Sequence, residues 1–518
     1  MEKSEEKYEK KENKIRSWLR KPSNILIVCI FVFLIILRLY YTSLTANQPL
    51  WWDEAEYMSA AKSYAGIIDF KASDIRTPGF PLIASVFFMI GLREGLILKF
   101  FLEFIPSMMA LFLFFCLMKE MYPDKRIAIV STLLFGVLWE HLFYSMRFHT
   151  ENFALIFQFL AMIVLIKVYL KKEKVGIITP KSSWMFIILF SILALIFRPT
   201  NAPFIPALLL FGLLINLSYL KKVKKIYTLM GAIAIIVVAT LFAFNLSSIP
   251  VVKFYYNAVA PPAFHFFYSP FAGYYTSVIL WLPPILLYLF YLGLFIALAR
   301  IVLIADKLKD LESNSNDLEM KSDLLNILLI LSVVLSFVFI LKTQAIEYRW
   351  FFMLLPAMFA FTSKPIILIS DAISKYLKVK NIATIIIIII VALGAYNQLS
   401  HADNILKAKI DSYSQVRDAG LWIKENSNKG DSVFTNSITQ NTYYSERETY
   451  GFGSNETEFY NSLKEKSPKY VIVSALENYP AWALSPSQNF TSLLSPVKAF
   501  YLDAQQKQMV LIVYKYNK

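Results

Sequence analysis

NILIVCIFVFLIILRLYYTSLTANQPLWWDEAEYMSAAKSY, residues 24–64, runs from a long apolar stretch into two adjacent carboxylates, Asp53 and Glu54, set behind a tryptophan pair. The stretch from Asn24 to Tyr41 reads as a membrane span, because only a helix of mostly apolar residues satisfies its own backbone in hydrocarbon. The acids then fall in the first loop beyond that span. Upstream, the charged MEKSEEKYEKKENKIRSWLRK has no small-residue cleavage site and precedes a run too long for a signal-peptide core, so residues 1–23 read as a cytoplasmic tail.

The whole chain follows the same pattern. Of its 518 residues, 57% are hydrophobic, 16% aromatic and only 17% charged, against roughly 25% charged in ordinary soluble domains. Apolar runs of span length recur to about Tyr396, after which Asn, Ser, Lys and Glu dominate. Residues 24–398 therefore read as a transmembrane domain and 399–518 as a second, water-facing one. The net charge of +15 does not point to a nucleic-acid partner, since it is dispersed over short loops and not gathered on one soluble face. Cys29 and Cys116 lie inside apolar runs and read as small packing residues, with no disulfide framework implied.

Spans are expected near 24–41, 97–118, 127–144, 150–170, 183–197, 202–220, 226–245, 275–299, 324–341, 350–371 and 381–397, about eleven in all. With the N-terminus inside, the inner loops hold roughly three times the Lys and Arg of the outer ones, as the positive-inside rule requires. An odd number of spans places the C-terminal domain outside. The short GFPLIASVFFMIGL, residues 79–92, reads as an interfacial helix within a first outer loop of 42–96; as a span it would make twelve and move the C-terminal domain inside. In that domain a helical stripe through Val416, Ala419, Leu421, Trp422 and Ile423 precedes strand-like SVFTN, YVIVSAL and MVLIVYKY, giving a small α/β fold.

This topology brings Asp53, Glu54, Arg76, Arg147, Glu151, Arg198, His265, Glu347 and Arg349 to one leaflet. Each has an ordinary reading. Asp53 caps a helix with Glu56 completing an Asp-x-x-Glu box, single arginines anchor at an interface, and His265 packs among aromatics. Together, ionisable groups converging at membrane depth read as a site, with arginine forks suited to phosphate oxygens.

The same segments resemble the polyprenyl-phosphate-sugar-dependent glycosyltransferases of the GT-C superfamily, near the protein O-mannosyltransferase and lipid A aminoarabinose transferase branch. The resemblance rests on WWDEAEYMSAAKSY, RTPGFPLIASVFFMIG, YSMRFHTENFALIF, IFRPTNAPFIPALLL, EYRWFFMLLPAMFAF and LWIKENSNKGDSVFTN, in that order. It departs where Glu151 stands for a frequent Asp and Arg349-Trp350 for Arg-Tyr. The resemblance implies a polytopic α-helical membrane protein with a small extracytoplasmic α/β domain, moving a sugar with inversion from a dolichyl- or undecaprenyl-phosphate donor to a protein, lipid or glycan acceptor. It implies Asp53 as base, with Glu54 and Glu151 orienting the acceptor or holding, with Asp53, a divalent cation such as Mg, Mn or Zn. Arg198 and Arg349, then Arg147 and Arg76, would hold the lipid phosphate, and Tyr57, His149, His265 and Glu347 would line the substrate. Two other readings stand beside it: a lipid-linked-sugar flippase, which would favour internal repeats and midplane polar residues, and an O-antigen polymerase or ligase, which would favour a large late outer loop. Neither mark is visible. The sequons at Asn455 and Asn489 point to a C-terminal domain that could itself be glycosylated.

Overall fold

The computed structural model describes residue 17 and residues 20–73, 76–92, 95–216, 282–304, 315–340, 348–379, 381–453, 455–477, 479–484, 492–503 and 505–517. The expected span 226–245, His265, Glu347 and the sequon at Asn489 lie outside these residues. Six described helices are long and apolar enough to cross a membrane. They are α1 (Pro22–Leu44), α4 (Leu96–Met121), α7 (Glu151–Leu170), α10 (Pro284–Ile304), α12 (Leu355–Leu377, entered through a tight turn at Tyr348–Leu354) and α13 (Ile382–Ala408). A seventh span is formed if α5 (Lys125–Gly136) and α6 (Trp139–Ser145), bent by 59° at their junction, are taken as one. The protein is an integral membrane protein.

The remaining expected spans that fall on described residues are shorter or more polar helices. Helices α8 (Ser183–Phe197) and α9 (Phe204–Ile215) are apolar but too short to cross alone, and α11 (Ser315–Ile340) begins with a charged turn. Thus six or seven of the eleven expected spans meet the length and composition of a crossing helix among the described residues. The helix expected to end near 397 continues to Ala408. Cys29 is exposed on α1, not packed inside the bundle as expected.

Many side chains on the long helices are large, apolar and exposed, among them Ile36, Phe112 and Ile388. In water such a surface would be costly; against lipid tails it is the expected one. Inside the bundle, Phe114, Phe135, Phe159 and Phe359 pack into one core.

Two helices fill the loop after α1: α2 (Trp52–Tyr64) and α3 (Gly79–Met89). At 11 residues, α3 falls well short of the ~20 needed to span, in keeping with an interfacial helix. Beyond α13 come α14 (Ser414–Asn426), α15 (Ile438–Ser445) and α16 (Glu456–Lys466), with a five-stranded sheet in the order β2-β1-β3-β5-β4. The strands are β1 (Ser432–Phe434), β2 (Glu448–Tyr450), β3 (Tyr470–Ser474), β4 (Leu494–Tyr501) and β5 (Met509–Tyr516). β1 pairs in parallel with β2 and β3, while β5 runs antiparallel to β3 and β4. Three strands match the sequence expectation. β2 is only three residues long, and β4 carries Pro496 beside a bulge on the sheet edge, where a missing N–H is tolerated.

Candidate active site

The site forms where α2 begins, at the end of the bundle that carries the sheet domain. Trp51, not Asp53, is the N-cap of α2. Glu54 reaches back to accept the Trp51 N–H at 2.8 Å, satisfying one amide that the helix leaves unpaired. Asp53 is thereby freed from capping. Its Oδ1 accepts from Arg76 Nη2, and its Oδ2 accepts from Arg349 Nη2 at 2.5 Å. Glu56 does not close the expected box either; it accepts from Arg76 Nε at 2.6 Å and the Ser73 N–H at 2.7 Å, so it aims Arg76 at Asp53.

Arg76 is also fixed from below. Thr77 donates to the Phe197 carbonyl at 2.8 Å, and Gly79 begins α3 so close to α8 that an added Cβ would lie 2.7 Å from the Ile196 oxygen. Gly79→Ala is expected to cost about 1–3 kcal/mol through that clash. A lowered thermal unfolding midpoint of the detergent-solubilised protein would show it; an unchanged midpoint would refute the close seating of α3.

Arg349, at the mouth of α12, spans two carboxylates. Its Nη2 holds Asp53, while its Nη1 lies 3.4 Å from Glu151 Oε1 and 3.2 Å from His149 Nδ1, with the Tyr144 ring 5.0 Å away. Because a guanidinium only donates, His149 Nδ1 must accept and the imidazole is neutral on that nitrogen. Burial, reinforced by Arg349, pushes His149 below its ordinary range. Arg198 Nη1 holds Glu151 Oε1 at 2.6 Å, leaving Glu151 Oε2 buried without a hydrogen-bond partner. Burial alone would raise the Asp53 carboxyl, but Arg349 and Arg76 outweigh it and hold it well below the usual carboxylate range. Its side chain stays 22% exposed, the most open of the acids here.

Arg147 is placed differently from a headgroup clamp. It donates to Glu54 Oε2 at 2.8 Å and lies 3.5 Å over the Trp51 ring, with its side chain fully buried. Glu54 also accepts the Phe148 N–H at 3.1 Å, so both of its oxygens are taken. Tyr57 is buried beneath Arg76, 5.3 Å from its guanidinium.

A divalent cation held by Asp53, Glu54 and Glu151 does not fit this donor set. Asp53 and Glu151 are separated by the Arg349 guanidinium, and Glu54 is spent on Arg147 and two amides. Among the described residues, no group of three His, Cys, Asp or Glu converges as a metal would need.

Two buried polar links escape a reading by loop and span. Arg38, fully buried within α1, donates to Ser107 Oγ (2.8 Å), the Gly136 carbonyl (3.0 Å) and His141 Nδ1 (3.3 Å), and His141 Nε2 passes the chain to Asn152 Oδ1 at 3.0 Å. A buried arginine in a span is costly unless paired, and this one ties α1 to the residue beside Glu151. The other link is Lys62, near the end of α2, which donates to the Tyr443 carbonyl at 2.8 Å and Glu446 Oε1 at 2.9 Å. With the Leu50 N–H on Tyr444 Oη at 2.7 Å, it fastens α2 to α15 of the sheet domain.

Burial would raise the Glu446 carboxyl, yet Lys62 and Lys424 hold it below its ordinary range. A depressed carboxylate stabilises the fold above its unfolded value, ~4.3, and that contribution is lost as pH falls through the folded value. Protection of the α15 amides, taken relative to their intrinsic exchange rate at each pH, is therefore expected to hold steady from neutral pH to about 4.3 and to fall below it. Glu446→Gln should remove that acid step; its persistence would assign the step elsewhere.

No protein-family model and no curated protein sequence matches the chain. Solved structures do, and the likeness is one of fold. The chain is similar to the oligosaccharyltransferase AglB of Archaeoglobus fulgidus in complex with an inhibitory peptide and a dolichol-phosphate, with a TM-score of 0.62 at 12% identity over 97% of this chain and 75% of that one. It is also similar to ArnT of Cupriavidus metallidurans bound to undecaprenyl phosphate, with a TM-score of 0.54 at 10% identity over 94% and 97%. A further structure of the Archaeoglobus enzyme, complexed with Zn and sulfate, matches with a TM-score of 0.53 at 11% identity over 94% and 73%.

Proposed function

We propose that the protein is an inverting glycosyltransferase of the cell membrane, taking a sugar from a polyprenyl phosphate on the outer face and passing it to a protein, lipid or glycan acceptor. The observation that supports this most is the Arg349 guanidinium held between Asp53 and Glu151, with Arg198 and Arg76 behind it. On this reading the N-terminus is cytoplasmic and the sheet domain extracytoplasmic. The dolichol-phosphate and undecaprenyl phosphate bound by the two neighbours support a lipid-phosphate donor.

The reaction has one proton and one leaving group to manage. Asp53 takes the proton of the acceptor hydroxyl as its oxygen attacks the anomeric carbon from the face opposite the phosphate. The bond from that carbon to the phosphate oxygen breaks, its electron pair goes to the phosphate, and polyprenyl phosphate leaves against Arg349 and Arg198. Before the donor binds, the same arginines neutralise Asp53 and Glu151, which spares buried carboxylates from standing unpaired. The incoming phosphate competes for Arg349, and drawing that cation off Asp53 raises the basicity of the carboxylate when a proton must be taken. Arg76, aimed by Glu56, holds Asp53 in place, while Glu54 and Arg147 brace the start of α2. Since the described carboxylates do not converge on a metal site, no step is assigned to a cation.

Purified protein in lipid, given a radiolabelled polyprenyl-phosphate sugar and fractionated acceptors, tests the reading. Release of lipid phosphate with label on an acceptor supports it. No release, together with movement of the lipid between leaflets of reconstituted vesicles, would replace the transferase by a flippase.

A further inference from the structure

Helix α7 opens on Glu151, and Gln158 follows two turns later on the same face, roughly 10 Å further along the axis. Gln158 is fully buried. Its Nε2 donates to the Met353 carbonyl at 2.8 Å, and its Oε1 accepts from Asn201 Nδ2 at 3.2 Å. A carbonyl only accepts, so Met353 fixes which way the Gln158 amide points and leaves Oε1 facing Asn201.

Both partners belong to segments that carry an arginine of the site. Met353 lies in the tight turn Tyr348–Leu354 with Arg349, and Asn201 closes the short turn Pro199–Asn201 that follows Arg198. The two guanidinium groups meet at Glu151 Oε1, Arg198 at 2.6 Å and Arg349 at 3.4 Å. Helix α7 therefore holds this pair twice: the charged heads through Glu151, and the backbones they hang from through Gln158. An arriving phosphate competes with Glu151 for the heads, whereas the Gln158 contacts involve no guanidinium and persist. The spacing of the two arginines then depends on their backbones. An apolar side chain would fill the same place without the cost of burying an amide, so a glutamine there is explained by what it joins.

We propose that Gln158 is a positioning residue that fixes the separation of Arg198 and Arg349, so that one phosphate group meets both. The proposal rests on the transferase reading for its ligand. Undecaprenyl phosphate titrated into the full chain in nanodiscs reports both the affinity and the number of sites per protein. Gln158→Met keeps the length of the side chain and removes both hydrogen bonds. Asn201→Ala removes the link on the Arg198 side alone, and it decides the matter if Gln158→Met does not fold.

The expected result for Gln158→Met is roughly tenfold weaker binding, as when a group that orients a binding residue is lost, with the number of sites unchanged. Its transfer rate should fall by about 10²-fold, the cost of a misplacement of about 1 Å, while KM for the acceptor stays the same. Asn201→Ala should move affinity and rate in the same direction by less. A residue that merely supported the fold would lower the number of sites and leave the affinity of the remainder intact, and that outcome would overturn the proposal. Unaltered affinity and rate in Gln158→Met, or in Asn201→Ala where Gln158→Met does not fold, would overturn it too. The wild type separates the two readings. If it binds undecaprenyl phosphate and releases lipid phosphate while the variants match it, the brace fails and the transferase stands; if it binds none, the transferase reading fails and the proposal falls with it.

Discussion

Asp53→Asn is expected to lower sugar transfer from the polyprenyl-phosphate donor by about 10²–10⁴-fold, the usual contribution of a positioned base, while leaving the protein folded and able to bind lipid phosphate. The substitution keeps the volume of the side chain and an oxygen that can still accept from Arg349 or Arg76. What it removes is the capacity to take a proton. Separate measurements of transfer rate and of undecaprenyl phosphate affinity distinguish this from simple unfolding, which would abolish both. The wild-type profile carries a matching sign. Since the two arginines hold Asp53 below the ordinary carboxylate range, the base stays ionised in the free enzyme as pH falls, and kcat/KM should show no acid limb from Asp53 near its ordinary ~3.9. Full transfer by the Asn variant would remove Asp53 from the role of base.

Composition and span length made the membrane class legible, because hydrocarbon permits few backbone solutions. Loop charge then gathered Asp53, Arg76, Glu151, Arg198 and Arg349 at one leaflet, and the structure brings these five into contact. Pairings inside the cluster were not legible. Local spacing favoured Asp53 as N-cap with Glu56 closing the box, yet Trp51 is the N-cap, Glu54 closes the box onto it, and both other acids turn to Arg76. A capping rule sees four residues; the guanidinium that decides the contest comes from a separate loop and helix. Arg147 shares a leaflet with the other arginines, but its burial against Trp51 and Glu54 depends on where the chain turns at 146–149. Lys62 and Glu446 are 384 residues apart, so no local pattern links them. Helix length was not legible either: among the described residues, α8 and α9 are apolar but short, and apolarity alone does not distinguish a crossing helix from one that stops within the bundle.

Arg349→Ala is expected to lower the transfer rate by about 10²–10³-fold, the size of effect seen when one donor to a developing oxyanion is removed, and to weaken binding of the lipid-phosphate product in parallel. Among the described residues, its guanidinium is the one group that pairs with both Asp53 and Glu151. Deleting it does not leave either acid alone, since Arg76 remains on Asp53 and Arg198 on Glu151. The unfolding midpoint should therefore move far less than loss of a sole buried partner would require, about 3–5 kcal/mol. Arg349→Lys refines the assignment. A lysine restores the charge but cannot present two nitrogens in one plane to a phosphate or to two carboxylates, so it should recover part of the binding and less of the rate. If Arg349→Lys matched the wild type, a point charge would suffice and the bridging geometry would have no role. If Arg349→Ala kept its transfer rate while Arg198→Ala lost it, the leaving phosphate would belong to Arg198, and Arg349 would serve to hold Asp53 in place between substrates.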